Sequence, residues 1–190
     1  MPDSLEIDGA KVPIRSDFRT ALKIRLAFED ATLTEREKVL VLLQNLFGKG
    51  KIPRNIGQVF EKASWFIRGG RPPSDTELDD GKRYYSFKKD ANLIYAAFQQ
   101  THGINLKTAQ LHWWEFLALF DDLGAETSFS SLVHLRYQVK NDKAEQYEID
   151  RAREIGPAFE IEDVDLASWQ EKDAASLHTE AFNRAFYGEG

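Results

Sequence analysis

The sequence predicts a mainly α-helical protein: a helical bundle of about six helices with an N-terminal β-hairpin and a weakly ordered, acidic, helical C-terminal tail. Three observations lead there. Thr34-Glu35-Arg36-Glu37 has the spacing of a capping box and opens the apolar run Val39 to Phe47, which stops at Gly48. Leu111 to Leu123, LHWWEFLALFDDL, gathers two adjacent tryptophans, further large apolar residues and three carboxylates into one strongly helical segment. The strongest strand signal is Asp8-Gly9, set between the alternating stretches Leu5-Ile7 and Val12-Ile14, which reads as a tight hairpin turn.

The elements follow in order. Pro13 cannot donate to a ladder, so the return strand of the hairpin belongs at an edge, and so small a hairpin needs a helix beneath it. A first helix is expected from Asp17 to Phe28, with Phe18, Ala21, Leu22, Ile24, Leu26 and Phe28 on a broad apolar face. The second is the capped run ending at Gly48. Pro53 suits the first turn of a third, whose Ile56, Val59, Phe60, Ala63, Phe66 and Ile67 recur at helical spacing up to Gly69-Gly70. Gly69 to Gly81, with its Pro pair and acids, reads as an exposed loop. Ser86 is placed as the cap of a fourth helix closed by His102-Gly103, Asn105 as the opening of the Trp-rich fifth, and Ser128 as the cap of a sixth running through Tyr137. Polar helical stretches are expected at Asp142 to Glu154 and Ala174 to Phe186, separated by Gly156-Pro157. The organisation expected is therefore a helical domain with its hairpin over residues 1–140 and an acidic helical extension over 141–190.

Charge supports that division. Residues 141–190 carry 13 acidic and five basic side chains, a balance of -8 within a total of -6, and the other 140 residues are near neutral at +2. An acidic final quarter repels phosphate backbones, so no nucleic-acid partner is expected. Zero cysteines exclude disulfides, thiolate nucleophiles and Cys-based metal sites. The first residues lack the basic and apolar regions of a signal peptide, and no window approaches the ~20 apolar residues that cross a bilayer. A cytoplasmic protein without membrane contact is the expectation.

Few residues suggest chemistry. His112 and Glu115 have the i, i+3 spacing that could present two metal ligands inside a bundle, but a dinuclear site needs carboxylates from other helices, and Glu37 and Glu61 read as exposed. A structural role for His112 is the preferred reading, with no metal, cofactor or catalytic residue assigned. His102, before Gly103, is expected to meet a helix C-terminus, and His134 and His178 lack convincing partners. No Gly-x-Ser-x-Gly elbow or phosphate-cradling Gly-x-x-x-x-Gly-Lys-Ser/Thr loop occurs, and the pairs Asp79-Asp80 and Asp121-Asp122 are adjacent in sequence and so point apart. The glycine turns at 48–51 and 69–71 follow no parallel strand and read as helix stops. Aromatic residues are the surplus. Trp65, Phe66, Tyr84, Tyr85, Trp113 and Trp114 form the candidate protein interface, weighed against the plainer reading of a well-filled core. Neighbours on a helix lie about 100° apart, so Trp113 and Trp114 cannot share one thin core stripe.

Four stretches, LEIDGAKVPIRSDFRTALKI, ASWFIRGG, DANLIYAAFQQTHGINL and LHWWEFLALFDDL, resemble in order and spacing the bacteriophage gene-product-fifteen family over roughly Leu5 to Tyr137. The most specific pieces are Ile7-Asp8-Gly9 leading to Asp17-Phe18-Arg19, Arg68-Gly69-Gly70, and His112-Trp113-Trp114. The resemblance implies a tail assembly chaperone of long-tailed, non-contractile phages and prophages, acting in the host cytoplasm. Such a protein coats the helical tape-measure protein through apolar grooves, helps recruit tail-tube subunits, associates with its own copies and catalyses no reaction. The alternatives are a structural tail or head-tail connector component of the virion and, in another class, a small metal-dependent hydrolase built on His112 and Glu115.

Overall fold

Asp8 and Gly9 both take positive φ, 50° and 74°, the backbone that a two-residue turn needs to match strand twist. They join β1 (Ser4–Ile7) to β2 (Ala10–Pro13) in an antiparallel pair running from Ser4 opposite Pro13 to Ile7 opposite Ala10. This hairpin opens a computed structural model that describes residues 1–48, 53–71 and 82–161. Among those residues seven α-helices follow: α1 (Phe18–Phe28), α2 (Glu35–Phe47), α3 (Ile56–Ile67), α4 (Ala91–His102), α5 (Trp113–Asp121), α6 (Ser128–Lys140) and α7 (Gln146–Ile155), the last succeeded by a 3₁₀ turn at Gly156–Ala158. A mainly α-helical chain with an N-terminal hairpin is thus the observed class. The loop expected through Gly81, the Lys49-Gly50-Lys51 turn, Asp79-Asp80, His178 and the Ala174 to Phe186 helix lie wholly or largely outside the described residues.

The chain divides into two compact units. The first holds described residues 1–48, 53–71 and 112–114. Its core is made by Leu5 and Ile7 of β1, Phe18, Ala21 and Ile24 of α1, Val39, Leu42, Leu43 and Leu46 of α2, and Val59, Ala63 and Phe66 of α3. The hairpin rests on α3, where Asn55 Nδ2 donates to the Asp8 carboxylate at 2.8 Å and the Asp8 amide donates to Gln58 Oε1 at 2.6 Å. Local chemistry sets the helix starts: Asp17 caps α1 by accepting from the Arg19 amide, and Thr34 and Glu37 form the reciprocal capping box of α2. For α3 the cap is Asn55, and Pro53 lies before the helix rather than in its first turn. The Asn55 side chain accepts from the Gln58 amide, so the helix begins three residues beyond the proline.

The second unit holds residues 82–111 and 115–161. Tyr85, Phe87, Phe98, Phe116, Phe120 and Phe129 form a continuous ring cluster, Phe98 and Phe116 stacking at 5.0 Å and Phe116 and Phe120 at 6.0 Å. On α6 and α7, Leu135 and Ala152 with Phe159 form a second small core, flanked by Leu132, Val139 and Ile155. Three helix starts differ from expectation. Ser86 closes a turn, accepting from the Lys89 amide, and α4 starts after Asp90, whose carboxylate is buried beside Arg136. Asn105 accepts from the Lys107 amide in an Asx turn, which diverts the chain from helix, and α5 waits until Trp113. Thr127, one residue before Ser128, caps α6.

Arg136 is fully buried, and all five of its N–H donors are matched. Besides the Asp90 carboxylate they meet the carbonyls of Phe159 (2.9 Å), Tyr84 (3.1 Å) and Ala158 (2.8 Å). Asp90 also accepts from the Ser86 amide at 2.9 Å, so one ion pair ties the stretch before α4, α6 and the stretch after α7.

Candidate protein-interaction site

Helix α3 ends with Phe66 and Ile67 in its last turn, where carbonyls lack the usual i+4 amide and the Phe66 carbonyl meets the Gly69 amide at 3.0 Å instead. Two adjacent indoles supply further donors. Trp113 donates Nε1–H to the Ile67 carbonyl at 2.9 Å, and Trp114 donates Nε1–H to the Phe66 carbonyl at the same distance. The two rings leave α5 in different directions, as helical geometry demands, yet both reach one helix end. Trp113 has 0% exposure and belongs to the core, while Trp114 is half-buried.

The segment before α5 is fixed on the other side. The Trp113 amide donates to the Ser16 carbonyl at 2.7 Å, and His112 bridges to Asp17. His112 Nδ1 accepts from the Trp114 amide at 3.0 Å, which leaves Nε2 protonated and donating to the Pro2 carbonyl at 2.8 Å. Both ring nitrogens are therefore committed to backbone, and no group of three or more His, Asp or Glu side chains among the described residues could hold a metal ion. His102 meets a helix C-terminus, that of α5, through the Leu119 carbonyl at 2.9 Å.

Around α3 the candidate residues sort by exposure. Phe66 is buried and stacks on Trp114 at 6.2 Å, so Phe66 and Trp113 are spent on the fold and neither presents a ring to solvent. Trp65 is 37% exposed, and its ring meets Trp114 edge to face at 5.1 Å. Gly70, at φ +81°, runs beneath that second indole: a Cβ at this position would stand 2.8 Å from Trp114 Cη2. Tyr84 and Tyr85 belong to the second unit and are half-buried there. Tyr84 packs against Tyr137 and accepts from Asn141 Nδ2 at 2.9 Å, and Tyr85 closes the phenylalanine cluster.

The Arg68-Gly69-Gly70 motif stands out in the sequence without showing what Arg68 and Gly70 do. Arg68 follows α3, partly buried, and burial lowers its pKa from its ordinary value. Helical spacing alone could have flagged it, three residues beyond Trp65. Nothing in the sequence marks the Gly70 approach to Trp114, which depends on residues 44 positions apart. The motif pieces 17–19, 68–70 and 112–114 nevertheless meet around the end of α3 and the start of α1.

A family model described as Bacteriophage Gp15 protein matches residues 1–160, a span that includes α7 and points to a role in the phage virion or its assembly. Comparison with curated proteins and with solved structures returns no match. No helix among the described residues is long and apolar enough to cross a membrane.

Proposed function

The chain belongs to the bacteriophage Gp15 protein family, and from that membership we propose that it is a non-enzymatic tail assembly chaperone. It acts in the host cytoplasm, binds the tape-measure protein, helps recruit tail-tube subunits and associates with its own copies. The family match over residues 1–160 is the observation that carries this reading. Physical support comes from the helical surfaces. A long apolar-striped partner is shielded by many copies of a small helical protein, each contributing a modest contact that avidity multiplies. The exposed Trp65 supplies the kind of aromatic that anchors such contacts.

Co-expression with the tape-measure protein of the same phage tests the reading. Soluble tape-measure protein should increase and co-purify with this chain; an unchanged insoluble fraction overturns the proposal. Mass spectrometry of purified particles separates assembly from structure, because a chaperone leaves the finished virion and a tail or head-tail connector component stays in it.

A further inference from the structure

Met1, Trp65 and Tyr147 are the large apolar side chains that stand exposed among the described residues. Trp65 differs in its setting. Its ring lies edge to face on Trp114, and Trp114 is itself pinned to the Phe66 carbonyl, so the two indoles form a ridge in which the exposed ring is backed by an anchored one. Rings held in place before contact lose little conformational freedom on binding.

Positive charge borders the ridge. Lys62 precedes Trp65 by three residues, Arg68 follows it by three, and Arg71 is held next to Arg68, whose Nε donates to the Arg71 carbonyl at 3.3 Å. On the same stretch of α3 the counter-charge is Glu61, 3.4 Å from Lys62. Arg68 meets no carboxylate among the described residues, although burial has already withdrawn part of its hydration and lowered its pKa. A cation in that state is stabilised by an arriving anion, and the partial desolvation makes their attraction stronger than it is in open water.

We propose that the Trp65–Trp114 ridge, with Arg68 at its border, is the docking surface for a partner α-helix whose apolar stripe is flanked by Asp or Glu. This rests on the chaperone reading and adds the place of contact and the charge of the partner. The apolar stripe covers the indole faces, and a flanking carboxylate pairs with the Arg68 guanidinium.

Two labelled amphipathic peptides of about 20 residues, long enough to cover several turns, share one Leu stripe and differ in carrying Glu or Lys beside it. Each is titrated by fluorescence anisotropy into the full-length protein and into Trp65→Ala and Arg68→Gln. The Glu peptide should bind at least about tenfold more tightly than the Lys peptide, and each variant should lose about tenfold of that affinity, the scale of a single interface anchor. Equal binding of both peptides, binding untouched by the variants, or no binding overturns the surface. Should Trp65→Ala lose its cooperative melt, Trp65→Gln takes its place. If sedimentation shows that Trp65→Ala breaks up oligomers of the chain alone while neither peptide binds, the ridge serves a second copy and the proposal is wrong. Co-expression separates the two levels: tape-measure rescue that survives in both variants removes this surface and leaves the chaperone reading standing, whereas absence of rescue by the unaltered chain removes the chaperone reading.

Discussion

Arg136 and Asp90 meet fork to fork, Nη1 on Oδ2 at 2.7 Å and Nη2 on Oδ1 at 3.0 Å, with 0% and 3% of their side chains exposed. Their distance in sequence is 46 residues, and neither sits in a pattern that marks it as buried. Arg136→Met leaves the Asp90 carboxylate in the interior without its cation, a change expected to cost about 3–5 kcal/mol. Urea unfolding of the single variant and of Arg136→Met combined with Asp90→Leu checks it. The double variant should recover much of the loss, and a single-variant loss below about 1 kcal/mol would show that the pair is solvated.

Trp113 and Trp65 should behave as opposites. Trp113→Ala empties a core position and removes the donor to Ile67, with an expected cost of about 3–5 kcal/mol. Trp65→Ala removes a ring that is 37% exposed and gives up its edge-to-face contact with Trp114, for which about 0.5–1.5 kcal/mol is the expected cost. Thermal melts of the two variants measured side by side decide this, and comparable losses would place Trp65 in the core.

Gly70→Ala meets two obstacles, a left-handed backbone and the edge of Trp114. Gly9→Ala has a similar φ of +74° with nothing within 4 Å of the new methyl group, and so reports backbone strain alone, about 1–2 kcal/mol. Gly70→Ala should cost more than Gly9→Ala and should shift tryptophan emission to longer wavelength as the indole is pushed towards water. Equal costs and an unshifted spectrum would mean that the ring yields freely.

Glu37 carries a pH dependence of known sign. Hydrogen bonds from the Thr34 backbone amide and, next, the Thr34 hydroxyl hold its carboxyl below the usual 4.5. A depressed carboxylate stabilises the fold above its unfolded pKa and loses that contribution as pH falls through its folded value. Stability should therefore decline from about pH 5 downwards, and Glu37→Gln should flatten part of that decline. Parallel slopes for both proteins in chemical denaturation below about pH 5 would contradict the assignment.

What the sequence made legible is what short-range chemistry decides. The Asp8-Gly9 turn, the Thr34-Glu37 capping box and the Gly48 stop each depend on residues within a few positions, and each stands in the structure where its pattern lay. The first turns of α4 and α5 were misplaced because distant partners intervene: Asp90 is drawn to Arg136, and the Trp113 amide to Ser16. Helical spacing shows that Trp113 and Trp114 cannot share one thin core stripe, but it cannot show that both indoles reach the end of α3. Exposure of Trp65 was equally hidden, since an i, i+3 pattern does not say which face of α3 meets the hairpin.

The 110 residues separating Pro2 from His112, joined by one hydrogen bond, carry a consequence for synthesis on the ribosome. The hairpin can pair and settle on α3 from residues 1–67 alone, but the Pro2 carbonyl and the end of α3 wait for segment 112–114 to emerge from the exit tunnel. Until then a nascent chain lacks the indole donors to the Phe66 and Ile67 carbonyls, and the seat of Trp113 is vacant. Translation pauses before segment 112–114 has cleared the tunnel would lengthen that vulnerable interval, and pauses after it has cleared would not.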